Sequence, residues 1–183
     1  MGKFVYVSGR HCLDFAGTIL WRRTARTELL EHPEDLEQWA RQAGVLADMQ
    51  APSPADVLTA REIREAIYRV VSAAVLKGPR PSQGDVDMIN HEARQALPTL
   101  TLSRDGTTFS TGTFSNVTSL VARDTIDLIG SSDKAKVKEC SNPDCTRLFV
   151  DHSRGFSRRW CGMAECGNRA KAADYRRRKK QSP

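Results

Sequence analysis

The sequence predicts an α+β protein, with a mainly α-helical N-terminal domain that carries a β-hairpin and a small C-terminal unit made of a hairpin and a helix. Apolar residues recur at helical spacing over residues 54–76 and 116–129. Two stretches with period-two alternation flank Asp105-Gly106, a pair typical of tight hairpin turns, and four cysteines cluster near the C-terminus. The small polar residues 130–133 predict a boundary between two domains, 1–133 and 134–183.

Local signals predict the remaining N-terminal elements. Pro33 and Pro54 suit the first turn of a helix, and Gly44 is a natural helix end. In chain order, we expect a strand over 4–7, helices over 11–21, 33–43, 54–76 and 83–97, a hairpin of 99–102 with 107–111, and a helix over 116–129.

The four clustered cysteines form two pairs, Cys140-x4-Cys145 and Cys161-x4-Cys166, separated by fifteen residues. Four thiolates at this spacing suit one tetrahedral Zn(II) ion in a closed, structural site. The fifteen residues would form a hairpin with strands at 147–150 and 158–160. Two alternatives stay open: disulfides or unrelated buried thiols, and His152 in place of one cysteine.

Five cysteines without a secretory signal indicate a reducing cytoplasm, and they leave Cys12 as a small buried residue. So small a C-terminal unit has few apolar residues, so its fold should depend on the metal. Replacement of Cys140 or Cys166 by serine is then expected to unfold this unit and spare the helices of the larger domain.

The basic excess of the protein lies after residue 133. Residues 134–183 hold 14 Lys and Arg against 5 Asp and Glu, a net of +9, whereas residues 1–133 have a net of −3. Residues 169–180 lack helix breakers and predict a cationic helix that follows the last cysteine. Concentrated positive charge is typical of nucleic-acid binding, although such a run can also be a solvated, disordered tail.

The basic residues fall into two predicted roles. Phosphate contacts are expected from five residues at the end of the helix: Arg176, Arg177, Arg178, Lys179 and Lys180. Base-edge contacts are expected from Arg158, Arg169 and Lys171, which are nearer to the cysteines. Alternatively, Arg169 could bond the thiolates or Asp151 and orient the metal site.

One group in the N-terminal domain mixes acceptor, donor and aromatic side chains. A ligand site is predicted from five residues: Cys12, Asp14, Trp21, Arg22 and Arg23. The alternative is an ordinary helix with a buried apolar face and a charged outer face. We therefore expect this domain to sense a small-molecule effector or to form a homodimer.

Two motifs carry a resemblance to known families. Cys166-Gly167-Asn168-Arg169, preceded by Arg158-Arg159-Trp160-Cys161, resembles the CGNR zinc-finger family. Cys12-Leu13-Asp14-Phe15 with Thr18 resembles the opening of the ABATE domain, except that Gly17 stands where that pattern has Asn. The resemblance implies a bacterial, stress-responsive transcription regulator that binds double-stranded DNA through its finger.

Other classes of protein are less favoured. No nucleophile–base pair is evident and the four histidines are scattered, so we do not expect an enzyme. No apolar run approaches a membrane span and the basic helix has no apolar face to insert, so no membrane partner is expected. The cysteines without a secretory signal predict a cytoplasmic location. RNA binding, or a zinc module that contacts an acidic protein, remains an alternative to DNA binding.

Overall fold

Helices surround the main core, and a three-stranded sheet and a C-terminal hairpin pack beside them. This computed structural model describes residues 2–76 and 78–181, with the backbone alone for some residues near the C-terminus. The helices are α1 (His11–Ala16), α2 (Pro33–Gln42), α3 (Pro54–Val75), α4 (Gln83–Glu92), α5 (Phe114–Gly130) and α6 (Asn168–Gln181). A 3₁₀ turn spans Ser132–Lys136 and a π-helical turn spans Met163–Gly167.

The strands are short and form three small sheets. They are β1 (Ile19–Leu20), β2 (Thr27–Glu28), β3 (Asp48–Met49), β4 (Thr99–Leu102), β5 (Thr108–Gly112), β6 (Val137–Glu139) and β7 (Leu148–Val150). β1 pairs with β2, β5 lies between β3 and β4, and β6 pairs with β7. The predicted α+β class is confirmed, and so is the hairpin around Asp105-Gly106, where Leu100 faces Ser110.

The predicted helix starts have a clear basis in capping. Ser53 Oγ accepts a hydrogen bond from the Asp56 amide at 3.3 Å, and the Asp56 carboxylate accepts one from the Ser53 amide at 2.7 Å. This reciprocal capping satisfies amides that have no partner within helix α3. Gly44 ends α2 with φ of +69°, a left-handed conformation that favours glycine.

The main core lies between α1, α2, α3 and α5. Phe15 and Trp39 meet edge to face with ring centroids 4.9 Å apart, and both are almost fully buried. A buried cation also lies here: Arg64, only 1% exposed, donates to both carboxylate oxygens of Glu28 at 2.5 and 2.8 Å. This pair attaches strand β2 to helix α3.

The predicted strand over residues 4–7 is wrong. The segment is extended but is not assigned as a strand: its polar groups bond side chains, and one neighbouring carbonyl bonds a single amide of strand β7. Asp14 Oδ1 accepts from the amides of Val7 and Ser8 at 3.0 and 2.9 Å, and Ser8 O accepts from the Val150 amide at 2.8 Å.

Two predicted helices end earlier than expected. Helix α1 ends at Ala16, not Trp21, and Trp21 has a left-handed φ of +53°. Helix α4 ends at Glu92, because the following chain turns to dock on α5. There the Gln95 carbonyl accepts from Ser119 Oγ at 2.8 Å. As a result, Leu97 is not a core residue and is 46% exposed.

The C-terminal hairpin also differs from the prediction. Strand β7 pairs with β6 in the register Val137↔Val150, and residues 158–160 do not form the returning strand. The Arg158 amide instead donates to Asp151 Oδ2 at 3.0 Å, which turns the chain away from β7. Val137, Leu148 and Val150 belong to the main core, so the hairpin is packed into the N-terminal part.

Candidate zinc centre and nucleic-acid interface

Four buried sulfurs converge at the end of the β6–β7 hairpin. The ligand atoms of Cys140, Cys145, Cys161 and Cys166 all lie within 4.8 Å of one another, and Cys145 Sγ is 3.8 Å from Cys161 Sγ. A tetrahedral zinc ion with Zn–S bonds of about 2.3 Å has sulfurs about 3.8 Å apart. The donor set therefore fits one zinc ion in a closed site, and the predicted cofactor is confirmed.

Tight turns bring the cysteines together. Asn142 Oδ1 accepts from the Asp144 amide at 3.2 Å, and the Asn142 carbonyl accepts from the Cys145 amide at 2.9 Å. On the other side, the Gly162 carbonyl accepts from the Cys166 amide at 3.1 Å in the π-helical turn. A Cβ on Gly167 would be 2.6 Å from Met163 Sδ, so a larger residue there would displace the exposed side chain of Met163.

Polar groups around the sulfurs donate hydrogen bonds to two of the cysteines. The Cys161 amide donates to Cys140 Sγ at 3.5 Å, and Asn142 Nδ2 donates to Cys166 Sγ at 3.5 Å. Such donors orient the ligands and offset their negative charge.

The thiols share the negative charge unequally. Hydrogen bonds from Cys145 and Cys161 lower the pKa of Cys140 to about 2. The same contacts with Cys140 raise the pKa of Cys145 to about 12 and raise the pKa of Cys161 well above its ordinary value. Ionisation of more than one of these neighbouring thiols needs a cation beside them, which a zinc ion would supply.

The alternatives to this ligand set do not fit. All five cysteines are free thiols, and the 3.8 Å separation is far longer than the roughly 2.05 Å of a disulfide. His152 lies outside the cysteine group, with its imidazole next to Gly9. Cys12 is fully buried in the main core, where burial raises its pKa, as expected of an inert thiol.

Two arginines of the finger hold the N-terminal segment. Arg147 Nη1 donates to the Val5 carbonyl at 2.9 Å, and Arg158 Nη2 donates to the Val7 carbonyl at 2.8 Å. The Arg158 guanidinium also donates to the Trp160 carbonyl at 2.9 Å and lies 4.3 Å from the centroid of the Phe149 ring. The predicted base-edge contact of Arg158 does not fit this arrangement, because its guanidinium already binds three carbonyl oxygens of the protein, the third from Cys161.

Asp151 organises the loop between β7 and the second cysteine pair. It is fully buried, accepts from Lys138 Nζ at 2.6 Å and from Ser153 Oγ at 2.6 Å. Burial raises the pKa of this carboxyl group, but the bonds from Lys138 and Ser153 outweigh burial and hold the pKa below its usual value. Asp151 bonds neither Arg169 nor a cysteine, so the structure does not show the hydrogen bond from Arg169 to Asp151 that was the alternative to a base-edge contact.

Helix α6 begins directly after the last cysteine and projects from the finger. Its described side chains are mainly exposed, including Arg169, Lys171, Tyr175 and Lys179. The Arg169 guanidinium lies 5.0 Å from the ring centroid of Trp21. The predicted phosphate-binding side chains of Arg176, Arg177, Arg178 and Lys180 lie outside the described part of the structure, which gives their backbone in α6.

The predicted ligand group in the N-terminal domain does not form one site. Cys12 is buried in the core and Asp14 holds the amides of residues 7 and 8. Arg22 pairs with Glu65 at 2.6 Å, and Arg23 pairs with Glu139 at 2.7 Å. Trp21 and Arg23 line two different cavities.

Sequence reasoning misses Arg147 and the exposed face of Trp160. An arginine two residues after a cysteine gives no sign of a partner 142 positions earlier. Trp160 appears from sequence to be core of a small unit, but its half-buried ring lines a cavity with Trp21 and Arg169. The sequence did offer one indication that Trp160 is partly exposed: the adjacent charged residue Arg159, whose guanidinium lies 5.5 Å from the Trp160 ring centroid.

Two family models match the chain. A model named ABATE and described as "putative stress-induced transcription regulator" matches residues 9–132, and a model of the CGNR zinc finger matches residues 136–179. These confirm the resemblance found in the sequence, in the same order. No curated protein matches the chain, and no helix in the described residues is long and apolar enough to cross a membrane.

Proposed function

The chain belongs to the ABATE family and carries a C-terminal CGNR zinc finger, and from this premise we propose that it regulates transcription by binding double-stranded DNA through helix α6. The observation that carries the proposal is the direct continuity of the zinc centre with this exposed helix. Cys166 and Gly167 end the π-helical turn, and α6 begins at Asn168. The metal would fix the first turn of the helix, so that its cationic side chains keep one direction relative to the finger.

The charge of the finger supports this proposal. Residues 134–183 carry a net charge of +9, and Lys171 and Lys179 are exposed on α6. Phosphate neutralisation by lysine and arginine releases counterions and gives affinity that falls steeply with salt. Arg147 and Arg158 bond backbone carbonyls, so α6 is the element of the finger that we assign to phosphate contacts.

The test is duplex binding by the zinc-loaded full chain at several salt concentrations. The double variant Lys171→Ala with Lys179→Ala should bind more weakly and reduce the slope of log K against log salt by about 0.9 for each lost phosphate contact. The matched control is Arg94→Ala with Arg104→Ala, which removes the same charge from exposed positions outside the finger. Equal affinities for the two double variants would contradict the proposal.

RNA binding and an acidic protein partner are the competing functions. Competition between duplex DNA, structured RNA and heparin separates them from DNA binding. Preferential displacement by duplex DNA supports our proposal, whereas equal displacement by all three indicates attraction by charge alone. Enrichment of one sequence from a pool of genomic DNA would indicate an operator site.

We also propose a role for the N-terminal part of the chain. We infer that the division at residues 133 and 134 separates an effector or dimerisation module from the finger, and that the protein works in the cytoplasm. Thermal-shift screening of the full chain against metabolites tests the effector, and sedimentation tests the homodimer. If no metabolite changes the melting temperature and the protein is a monomer at all concentrations, the N-terminal part has neither proposed role.

A further inference from the structure

A cleft of about 550 Å³ lies between the loop after β1 and the zinc finger. Trp21, Thr24 and Ala25 line one side, and Trp160 with the turn between Cys140 and Cys145 lines the other. Arg169, from the first turn of α6, lines it as well. The cleft is therefore built from both parts of the chain.

Aromatic surface is the first feature of this cleft. The indoles of Trp21 and Trp160 are both half-buried and pack against the cysteine cluster on one side. Trp21 has a φ of +53°, a conformation that bulky residues rarely adopt. Such strain persists only where the surrounding structure holds it, and it clusters at binding sites.

Positive charge is the second feature. Arg169 lies 5.0 Å from the Trp21 ring centroid, and Arg159 lies 5.5 Å from the ring centroid of Trp160. The side chain of Arg169 is exposed in the first turn of α6, so its guanidinium is open to an anion. A phosphate group would find complementary charge at this edge.

A hydrogen-bonding edge is the third feature. Asp144 is exposed and is the acidic residue that lines the cleft, and its own amide is held by Asn142. A carboxylate accepts hydrogen bonds from the ring N–H and amino groups of a nucleobase. Base pairing occupies these groups in a duplex and leaves them free in an unpaired nucleotide.

We propose that this cleft binds one unpaired nucleotide, with its base stacked beside Trp21 and Trp160 and its phosphate at Arg169. Stacking on aromatic rings and guanidinium planes is a general means of holding unpaired bases. Asp144 favours bases that carry an amino group, such as guanine, over thymine. This nucleotide site is separate from the duplex-binding face of α6, because binding of a free mononucleotide does not require paired DNA.

The first experiment titrates the zinc-loaded full chain with GMP, AMP, UMP and inorganic phosphate. Tryptophan fluorescence and calorimetry report binding, since Trp39 is buried and stacking would quench Trp21 and Trp160. We expect GMP to bind more tightly than UMP and much more tightly than phosphate. No binding of any mononucleotide or single-stranded oligonucleotide, or phosphate binding as tight as GMP, would overturn the proposal.

Two exposed residues supply the variants. Arg169→Ala should weaken GMP binding at least tenfold, and Asp144→Ala should remove most of the preference for GMP over UMP. Zinc content and the circular dichroism spectrum show whether either variant has disturbed the finger. Trp21→Phe keeps a ring next to the cysteines and should weaken binding less than Arg169→Ala. Unchanged GMP affinity in both alanine variants contradicts the assignment.

Two sources of the nucleotide remain to be separated. A duplex with one bulged guanine that binds more tightly than the fully paired duplex points to nucleic acid. Equal affinities for both duplexes, together with GMP binding, point to a free nucleotide. The double variant Lys171→Ala with Lys179→Ala should retain GMP binding and Asp144→Ala should retain binding to paired duplex, so failure of one proposal leaves the other testable.

Discussion

The guanidinium of Arg147 packs against the backbone of Gly17, 130 positions earlier in the chain. Its Nη2 donates to the Gly17 carbonyl at 3.3 Å, and a Cβ added at Gly17 would lie 2.7 Å from Nη1. Arg147 is itself almost fully buried and is held by the Val5 carbonyl. A side chain at position 17 would therefore occupy the space of the guanidinium.

Replacement of Gly17 by alanine should therefore destabilise the protein. The added methyl group cannot be relieved without loss of the Arg147 hydrogen bonds, and overpacking of this kind costs about 1–3 kcal/mol. Chemical denaturation of both proteins measures the loss. Gly84→Ala is the control, because a Cβ there meets only Ser82 Oγ at 3.8 Å within helix α4; it should be neutral or slightly stabilising. Equal stability of Gly17→Ala and the wild type would contradict a tight contact between the Arg147 guanidinium and the backbone of Gly17.

Removal of zinc should destabilise the whole chain and not the finger alone. Leu148 and Val150 of strand β7 lie in the main core, next to the cysteine-bearing turns. This replaces the expectation from sequence that loss of a cysteine spares the N-terminal helices. We expect a chelator, or Cys166→Ser, to lower the melting temperature followed by circular dichroism at the helix band.

The control for metal binding is Cys12→Ala. Cys12 is buried away from the sulfur cluster, so this variant should retain one zinc per chain even if its stability falls. A chelated protein whose helical melting is unchanged would show that finger and core unfold independently. Retention of full zinc by Cys166→Ser would show that the ligand set is wrong.

Asn142 should strengthen zinc binding through the sulfur of Cys166. Its Nδ2 donates to Cys166 Sγ at 3.5 Å, and its Oδ1 holds the turn between the first two cysteines. Loss of such outer contacts typically lowers metal affinity about 10–100-fold. Competition with a chromophoric chelator measures the affinity of Asn142→Ala. Asp144→Ala in the same turn is the control, and equal affinity of the two variants would contradict a role for the Asn142 amide.

Acid should weaken the pair between Glu28 and Arg64. Burial raises the pKa of Glu28, but the hydrogen bonds and charge of Arg64 lower it more, so the pKa lies below its ordinary 4.5. A lowered pKa in the folded state means that the carboxylate stabilises the fold above about pH 4.5. That contribution is lost as the pH falls through the folded pKa.

The variant Glu28→Gln tests this pH dependence. The substitution leaves the buried Arg64 without its bidentate partner and should lower the free energy of unfolding by about 2–3 kcal/mol at pH 7. The loss is smaller than for an unpaired buried charge, because Glu65 remains 3.0 Å from Arg64. The difference between the two proteins should shrink below pH 4.5. Zinc release in acid affects both proteins and cancels in the difference. A constant difference across this range would contradict the lowered pKa.

Local signals in the sequence determined much of the fold. The capping pair Ser53 and Asp56, the left-handed Gly44 and the turn at Asp105-Gly106 depend on residues a few positions apart, so they are readable from the chain. The cysteine spacing was sufficient to predict the zinc site for the same reason. Two short turns place the four ligands, and four thiolates suit a tetrahedral zinc ion.

Only the tertiary structure decided how the finger meets the N-terminal part. The carbonyls of Val5 and Val7 bind Arg147 and Arg158 of the finger, and Trp21 meets Arg169 across a cleft. These partners are separated by more than a hundred residues, and a guanidinium bonds a carbonyl with no sequence signature at either end. Spacing along the chain predicts contacts within a turn or a helix, whereas contacts between distant segments depend on the packing of the complete core.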